Sequence, residues 1–290
     1  MNNSQLQEIK EWFARYTRTY ASGNEHFCPP LQLKMDHSKR VAGNARQLAE
    51  ELDWNPAEAN RAEALGWLHD IGRFSQFAKF GTFMDATSVN HGKRGWEIIR
   101  ETKLLFPLKI EEQAAVLDGI RYHNAKTEPD FLTKESLRFL KLIRDADKLD
   151  IFHIVLDSVQ RNGFQDLPGM LPQVILEGPA NQKIICEIQN HRSRSITHVR
   201  SLADFLLMQL SWIYDLNYSI SFRRIIDRNI IDTLERALPK EKQIKEVVQA
   251  ARRFAKQKLG SPEKNKSTTS AQPFTLSGLC SCGPQTREMM

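Results

Sequence analysis

Apolar residues along this chain recur at intervals of three and four, and no convincing run alternates with period two. That pattern excludes a sheet protein and predicts an all-α bundle. From Leu31 to Leu52, one face carries His37, Val41, Asn44, Leu48 and Leu52. The next helix starts with Asn55 as N-cap, Pro56 at the first helical position and Glu58 at the third. It runs through Ala62, Leu65 and His69 and is expected to stop at Gly72, read as a left-handed C-cap. Further helices are predicted over Asn90–Glu101, Lys109–His123 and Thr133–His153.

Beyond these, Gly163, Pro168, Gly169, Pro172, Gly178 and Pro179 mark Arg161–Pro179 as a long loop. Periodicity returns over Thr197–Tyr214, with Phe205, Met208 and Trp212 as core, then over Ser221–Ala237 and Lys240–Lys258. No internal repeat and no clear linker divides the chain. One helical domain over 1–258 is therefore expected, with a core at about 31–153 and a C-terminal helical part at about 180–258. Residues 259–290 are polar, Ser/Thr-rich and aperiodic, and are read as a disordered tail. Cys280 and Cys282 lie in it without a second pair at zinc-site spacing, and read as exposed thiols.

The stretch Gly66–Arg73, GWLHDIGR, ends an apolar helix on an imidazole beside a carboxylate. Burying an unpartnered carboxylate costs several kcal/mol or a large pKa shift. Asp70 therefore needs a basic side chain, a hydrogen-bond network or a metal ion. Other ligand-type residues also sit on apolar stripes. His37 shares a face with Val41 and Leu48, and His69 with Ala62 and Leu65. His91 begins a helix that continues on its face through Gly95 and Ile98 or Ile99. His123 follows Val116 and Ile120, while Asp147 follows Leu140 and Ile143.

Singly, each is more simply a hydrogen-bonded core residue. Together, four histidines and two aspartates directed into one bundle core point to a metal site. Adjacent helical residues diverge by about 100°, so His69 and Asp70 either flank one ion or let Asp70 bridge two. Within RDADKLD, Asp145 follows Arg138 and Lys141 and is expected to face solvent. Asp147 turns inward, and Asp150 shares that face and could orient a ligand. His26, His191 and His198 lie in polar or loop settings; His153, near Leu149 and Ile151, is less clear and could support a ligand, but none of the four is read as a ligand itself.

The order His37, His69-Asp70, Asp147, with the wording LHDIGRF and DADKLD, resembles the HD-domain superfamily of metal-dependent phosphohydrolases. The resemblance covers about Leu31–Phe152. It implies an all-α, HD-type bundle with the metal site in its core and additional C-terminal helices. His91 and His123 resemble the extra histidines of binuclear HD proteins. By that analogy His37, His69, Asp70 and Asp147 hold one ion, while Asp70, His91 and His123 hold a second. The HD-GYP signature is missing, and the His-His pair of those enzymes stands here as Tyr122-His123-Asn124.

The resemblance implies hydrolysis of a phosphoester or phosphoanhydride, in a nucleotide or related small molecule, by metal-activated hydroxide. Asp70 would be the central ligand, Arg73 a phosphate contact or equally a member of a surface ion pair, and Lys148 either a stabiliser of transition-state charge or the partner of a nearby acid. Imidazole and carboxylate without thiolate fit divalent transition metals, iron or manganese foremost, with nickel, cobalt, zinc or magnesium as further fits. The alternative is a non-catalytic metal- or nucleotide-binding HD sensor. Lysine and arginine exceed aspartate and glutamate by 41 − 35 = 6, which suits a small phosphorylated substrate. No basic face with interleaved aromatics predicts nucleic-acid binding. The N-terminus lacks a signal-peptide core, no apolar run would span a membrane, and the four cysteines form no disulfide framework. A cytoplasmic protein is expected. The phenylalanine-rich stretch 74–90 is expected to pack down beside the site or roof it.

Overall fold

The computed structural model describes residues 1–21, 26–161, 164–165, 174–190 and 198–260. The tail from 261 onward with Cys280 and Cys282, His191, and most of the loop predicted over 161–179 lie outside these residues. Among the described residues there are helices and one isolated bridge between Ile175 and Ser201, but no strand. None of these helices is long and apolar enough to cross a membrane.

Helix α1 (Asn3–Arg18) went unread in the sequence, although Asn2 and Gln5 form a reciprocal capping box ahead of Leu6, Ile9 and Phe13. Those three apolar side chains are buried. Helix α2 (Pro29–Glu51) and α3 (Pro56–Leu68) pack closely, with Val41, Ala45, Leu48, Ala62 and Leu65 fully buried. Gly66 permits that approach, since a Cβ there would sit 2.7 Å from the Ala42 backbone nitrogen. Helix α4 (Gly72–Phe80) then follows, ending at Gly81 with φ 64°. Gly72 is thus not the left-handed C-cap expected; it opens a new helix. Its lack of a side chain serves packing instead, because a Cβ would collide with the carbonyl oxygen of His91 and lie 2.7 Å from the Gly95 nitrogen.

Helices α5 (His91–Thr102) and α6 (Ile110–Tyr122) lie near their predicted bounds. Helix α7 (Lys134–Arg161) runs beyond the predicted end and is buried on several sides, through Phe139, Leu140, Leu142, Ile143, Ala146, Leu149 and Phe152. Buried positions lie around most of its girth, Arg144, Asp145, Lys148 and Asp150 among them, so this helix is central. Among the C-terminal helices, α8 (Gln182–Gln189), α9 (Leu202–Ser211), α10 (Ser219–Asp227), α11 (Ile230–Ala237) and α12 (Lys242–Leu259), it is α10 and α11 that pack against α7, and the others pack around them. The single helix predicted over 221–237 is two, broken at Asn229, whose φ is 52°. Met208 is buried, and Phe205 and Trp212 pack against the core.

That covering layer overturns the expectation for Asp145. Its carboxylate is fully buried and caps the start of α10, accepting from the backbone N–H groups of Asn217 and Tyr218, both at 3.0 Å, and from Ser221 Oγ at 2.7 Å. Burial pushes the Asp145 pKa up, against the opposing pull of these hydrogen bonds. Asn217 Nδ2 donates as well, at 2.8 Å, so Asp145→Ala strands four donors and is expected to cost about 1–3 kcal/mol. Urea unfolding checks this, and an unchanged midpoint would show the cap to be dispensable.

Candidate metal centre

Six side chains predicted as ligands come from separate places along the chain and meet in one core. His37 projects from the middle of α2, and Asp147 from the middle of α7. His69 and His123 are the C-caps of α3 and α6, and each still donates its backbone N–H four residues back, to Leu65 and Gly119. His91 is the first residue of α5, set by Asn90 as a side-chain N-cap. Asp70 lies in the short turn between α3 and α4. His37, His69, Asp70, His91 and His123 are all buried.

Asp70 divides its two oxygens between two groups. Oδ2 lies 3.7 Å from His37 Nε2 and 3.8 Å from His69 Nε2. Oδ1 lies 3.4 Å from His91 Nε2 and 3.5 Å from His123 Nε2. Asp147 Oδ1 joins the first group, 3.1 Å from His37 Nε2 and 3.9 Å from His69 Nε2. Within each triad, His37–His69–Asp70 and Asp70–His91–His123, the ligand atoms fall within 4.8 Å of one another.

The outer nitrogens decide what the inner ones offer. His69 Nδ1 donates to the Gly66 carbonyl and His123 Nδ1 to the Ile120 carbonyl, both at 2.8 Å. His37 Nδ1 donates to Asp150 Oδ2 and His91 Nδ1 to Asp85 Oδ2, both at 2.7 Å. These oxygens are acceptors, so each ring carries a proton on Nδ1 and turns Nε2 inward. The Nε2 atoms of His37 and His69 face each other across 3.3 Å, and those of His91 and His123 across 3.0 Å. Imidazole nitrogens facing each other beside carboxylate oxygens suit a cation, and this outer pattern is the one found around metal ligands. The donor set therefore fits divalent ions.

Burial lowers the His69 pKa to about 4 and that of His91 to about 3, so both rings are neutral at pH 7. Burial and Lys34 push His37 down, but hydrogen bonds with Asp147 and Asp150 outweigh them and its pKa is raised. Burial would raise Asp70; the charges of Lys34, His69 and Arg73 prevail and hold it well below the usual carboxylate range.

Two cations reach Asp70 directly. Lys34 Nζ sits 2.7 Å from Oδ2, and Arg73 Nε 3.5 Å from Oδ1. Lys34 went unread, although it shares a face with His37 and Val41 at three- and four-residue spacing. Arg73 is anchored through Nη1 to the Phe83 carbonyl and to Asp85, while its buried Nε makes no hydrogen bond. Lys148 faces elsewhere: it is buried against Asp215 at 2.8 Å, the acid pairing weighed from the sequence. Asp150 takes the orienting position foreseen for it and is clamped by Arg40 at 2.6 Å. Asp85 and Asn124 also went unread; Asn124 Nδ2 donates to Asp85 at 3.0 Å. His26, His153 and His198 are exposed and apart from the cluster.

The phenylalanine stretch chiefly packs down. Phe74 is fully buried, Phe77 and Phe83 pair at 4.9 Å, and only Phe80 is exposed among them. Phe83 lies at the rim, with Lys34 Nζ 5.6 Å and Arg73 Cζ 5.8 Å from its ring centre. Asp147 is 21% exposed and Asp85 29%, against 4% for Asp70.

An all-α bundle thus encloses two His-His-Asp groups that share Asp70 and that each could hold a metal ion. Residues 35–151 match the family model of the HD domain. That span contains every residue of both triads and Asp147. No solved structure matches the chain.

Proposed function

We propose that the protein is a metal-dependent hydrolase of phosphoesters or phosphoanhydrides, acting on a nucleotide or a related small phosphorylated molecule. His37, His69, Asp70 and Asp147 would hold one divalent ion, and Asp70, His91 and His123 a second, with iron or manganese foremost. The observation that carries this reading is the division of the Asp70 oxygens between two sets of inward-facing imidazole nitrogens. Such ions supply Lewis acidity, polarising a phosphoryl oxygen and turning water into a nucleophile at neutral pH.

The chain's own residues supply the rest. The acceptors at Gly66, Ile120, Asp85 and Asp150 hold the four rings in the ligand tautomer. Lys34 and Arg73 place two positive charges against Asp70, where phosphate oxygens would meet them. Arg73 Nε has a hydrogen-bond donor to give, which suits it to phosphate contact. Positioned cations of this kind stabilise charge that grows in a phosphoryl-transfer transition state.

The test is metal analysis of purified protein together with phosphate release from phosphomonoesters, phosphodiesters, nucleoside triphosphates and dinucleoside polyphosphates. Turnover that a chelator abolishes and Mn²⁺ or Fe²⁺ restores is the expected result. Bound metal without turnover on any class would favour the sensor reading, and failure to take up metal would overturn both.

A further inference from the structure

The two triads differ in what holds their outer shell. On the first, His37 is oriented by Asp150, a residue of α7 that is 1% exposed and gripped by Arg40 through two N–H groups at 2.6 and 3.1 Å. On the second, His91 is oriented by Asp85, which belongs to a short 3₁₀ turn, Asp85–Thr87, in the segment joining α4 to α5. The Asp85 side chain is 29% exposed.

The Asp85 carboxylate is nonetheless a junction. Besides His91 Nδ1 it accepts from Gln76 Nε2 at 2.9 Å, Arg73 Nη1 at 3.1 Å and Asn124 Nδ2 at 3.0 Å. Those donors come from α4 and from the residue after the His123 cap. Gln76 also donates to Ser88 Oγ at 2.8 Å and to the Val89 carbonyl at 2.9 Å, so one buried amide ties the turn to α4.

The neighbours of His91 Nδ1 make Asp85 chemically decisive. Asn124 Nδ2 lies 3.3 Å from that nitrogen and offers it only N–H groups. With the carboxylate in place, Nδ1 donates to Asp85 and Nε2 keeps its lone pair for the triad. Without it, the amide N–H beside Nδ1 favours a lone pair there. The proton then moves to Nε2, the atom that faces Asp70 and His123.

We infer that Asp85 is the positioning residue that selects the His91 tautomer and thereby determines whether the second triad holds an ion, while the first triad is independent of it. The inference rests on the two-triad reading above. It is a property of the α4–α5 connection, so the second ion is held through a turn and the first through helices.

The test is Mn²⁺ titration of the full chain by calorimetry, with ions counted by elemental analysis, in the unaltered protein, Asp85→Ala and Asp85→Asn. Asp85→Ala is expected to bind the first ion as before and the second about 10- to 100-fold more weakly. Asp85→Asn, whose carbonyl can still accept from Nδ1, should recover part of that loss. Nitrogen NMR of the imidazoles reports the tautomer, and His91 should gain the Nε2–H form in Asp85→Ala. Two ions bound with unaltered affinity in both variants would overturn the inference. So would loss of both ions in step, which would mark Asp85 as a general structural support. If Asp85→Ala fails to fold, the near-isosteric Asp85→Asn carries the same comparison. An unaltered protein that takes up one ion or none would overturn the two-triad reading itself, which is distinct from a failure confined to Asp85.

Discussion

Asp70→Asn is expected to empty both halves of the centre at once and to lower any hydrolytic rate by at least about 10³-fold. The substitution keeps the shape of the side chain but turns one oxygen into an NH₂ group, which has no lone pair to give a metal. Oδ1 serves His91 and His123, and Oδ2 serves His37 and His69, so whichever way the amide turns, one triad loses its anionic ligand. The other loses half of its charge. Lys34, 2.7 Å from Oδ2, then stands as an unopposed cation beside the first triad and repels an incoming ion. Elemental analysis with circular dichroism checks the expectation. A helical Asp70→Asn protein that still carries two ions would sink the bridging role.

Gly72→Ala is expected to destabilise the protein by about 2–3 kcal/mol, although Ala is the better helix former by about 1 kcal/mol. The new methyl would meet the His91 carbonyl and lie 2.7 Å from the Gly95 nitrogen, and both are backbone atoms of α5 that no rotamer change can move aside. Helix α5 must shift as a body, and because His91 is its first residue, the second triad moves with it. Gly43→Ala supplies the control. Gly43 lies inside α2 with nothing within 4 Å of its would-be Cβ, so the same change there should stabilise by about 0.5–1 kcal/mol. Thermal and urea unfolding of the two variants should move in opposite directions. Equal shifts would show that packing at Gly72 is not tight.

The centre was legible in the sequence because its ligands break a rule that sequence displays. A histidine or aspartate on an apolar stripe is a polar group pointed at a core. Six such anomalies at helical spacing could be read before any was seen to converge. The helices that carry them were legible for the same reason, and Asn55-Pro56-Glu58 marked the start of α3 because capping is a local interaction.

Where the reading went astray, the deciding contact was distant in sequence. Asp145 seemed to face water because periodicity reports only which side of a helix is apolar. The residues that bury its polar side, Asn217, Tyr218 and Ser221, lie more than seventy positions away. Gly72 has the composition of a cap, and only the approach of α5 shows that it is a point of contact.

Asp85 carries no signal at all, since a turn residue has no period to betray its direction. The amino-acid sequence by itself determined the helical class, most of the helices and the identity of the ligand-type residues, through the free energy of burying apolar stripes. The family resemblance already implied that Asp70 would stand between two groups; the tertiary structure alone decided that Lys34 and Arg73 would oppose its charge and that Asp85 would hold His91. These depend on the angles at which helices cross and on where a turn comes to rest, which side-chain periodicity does not encode.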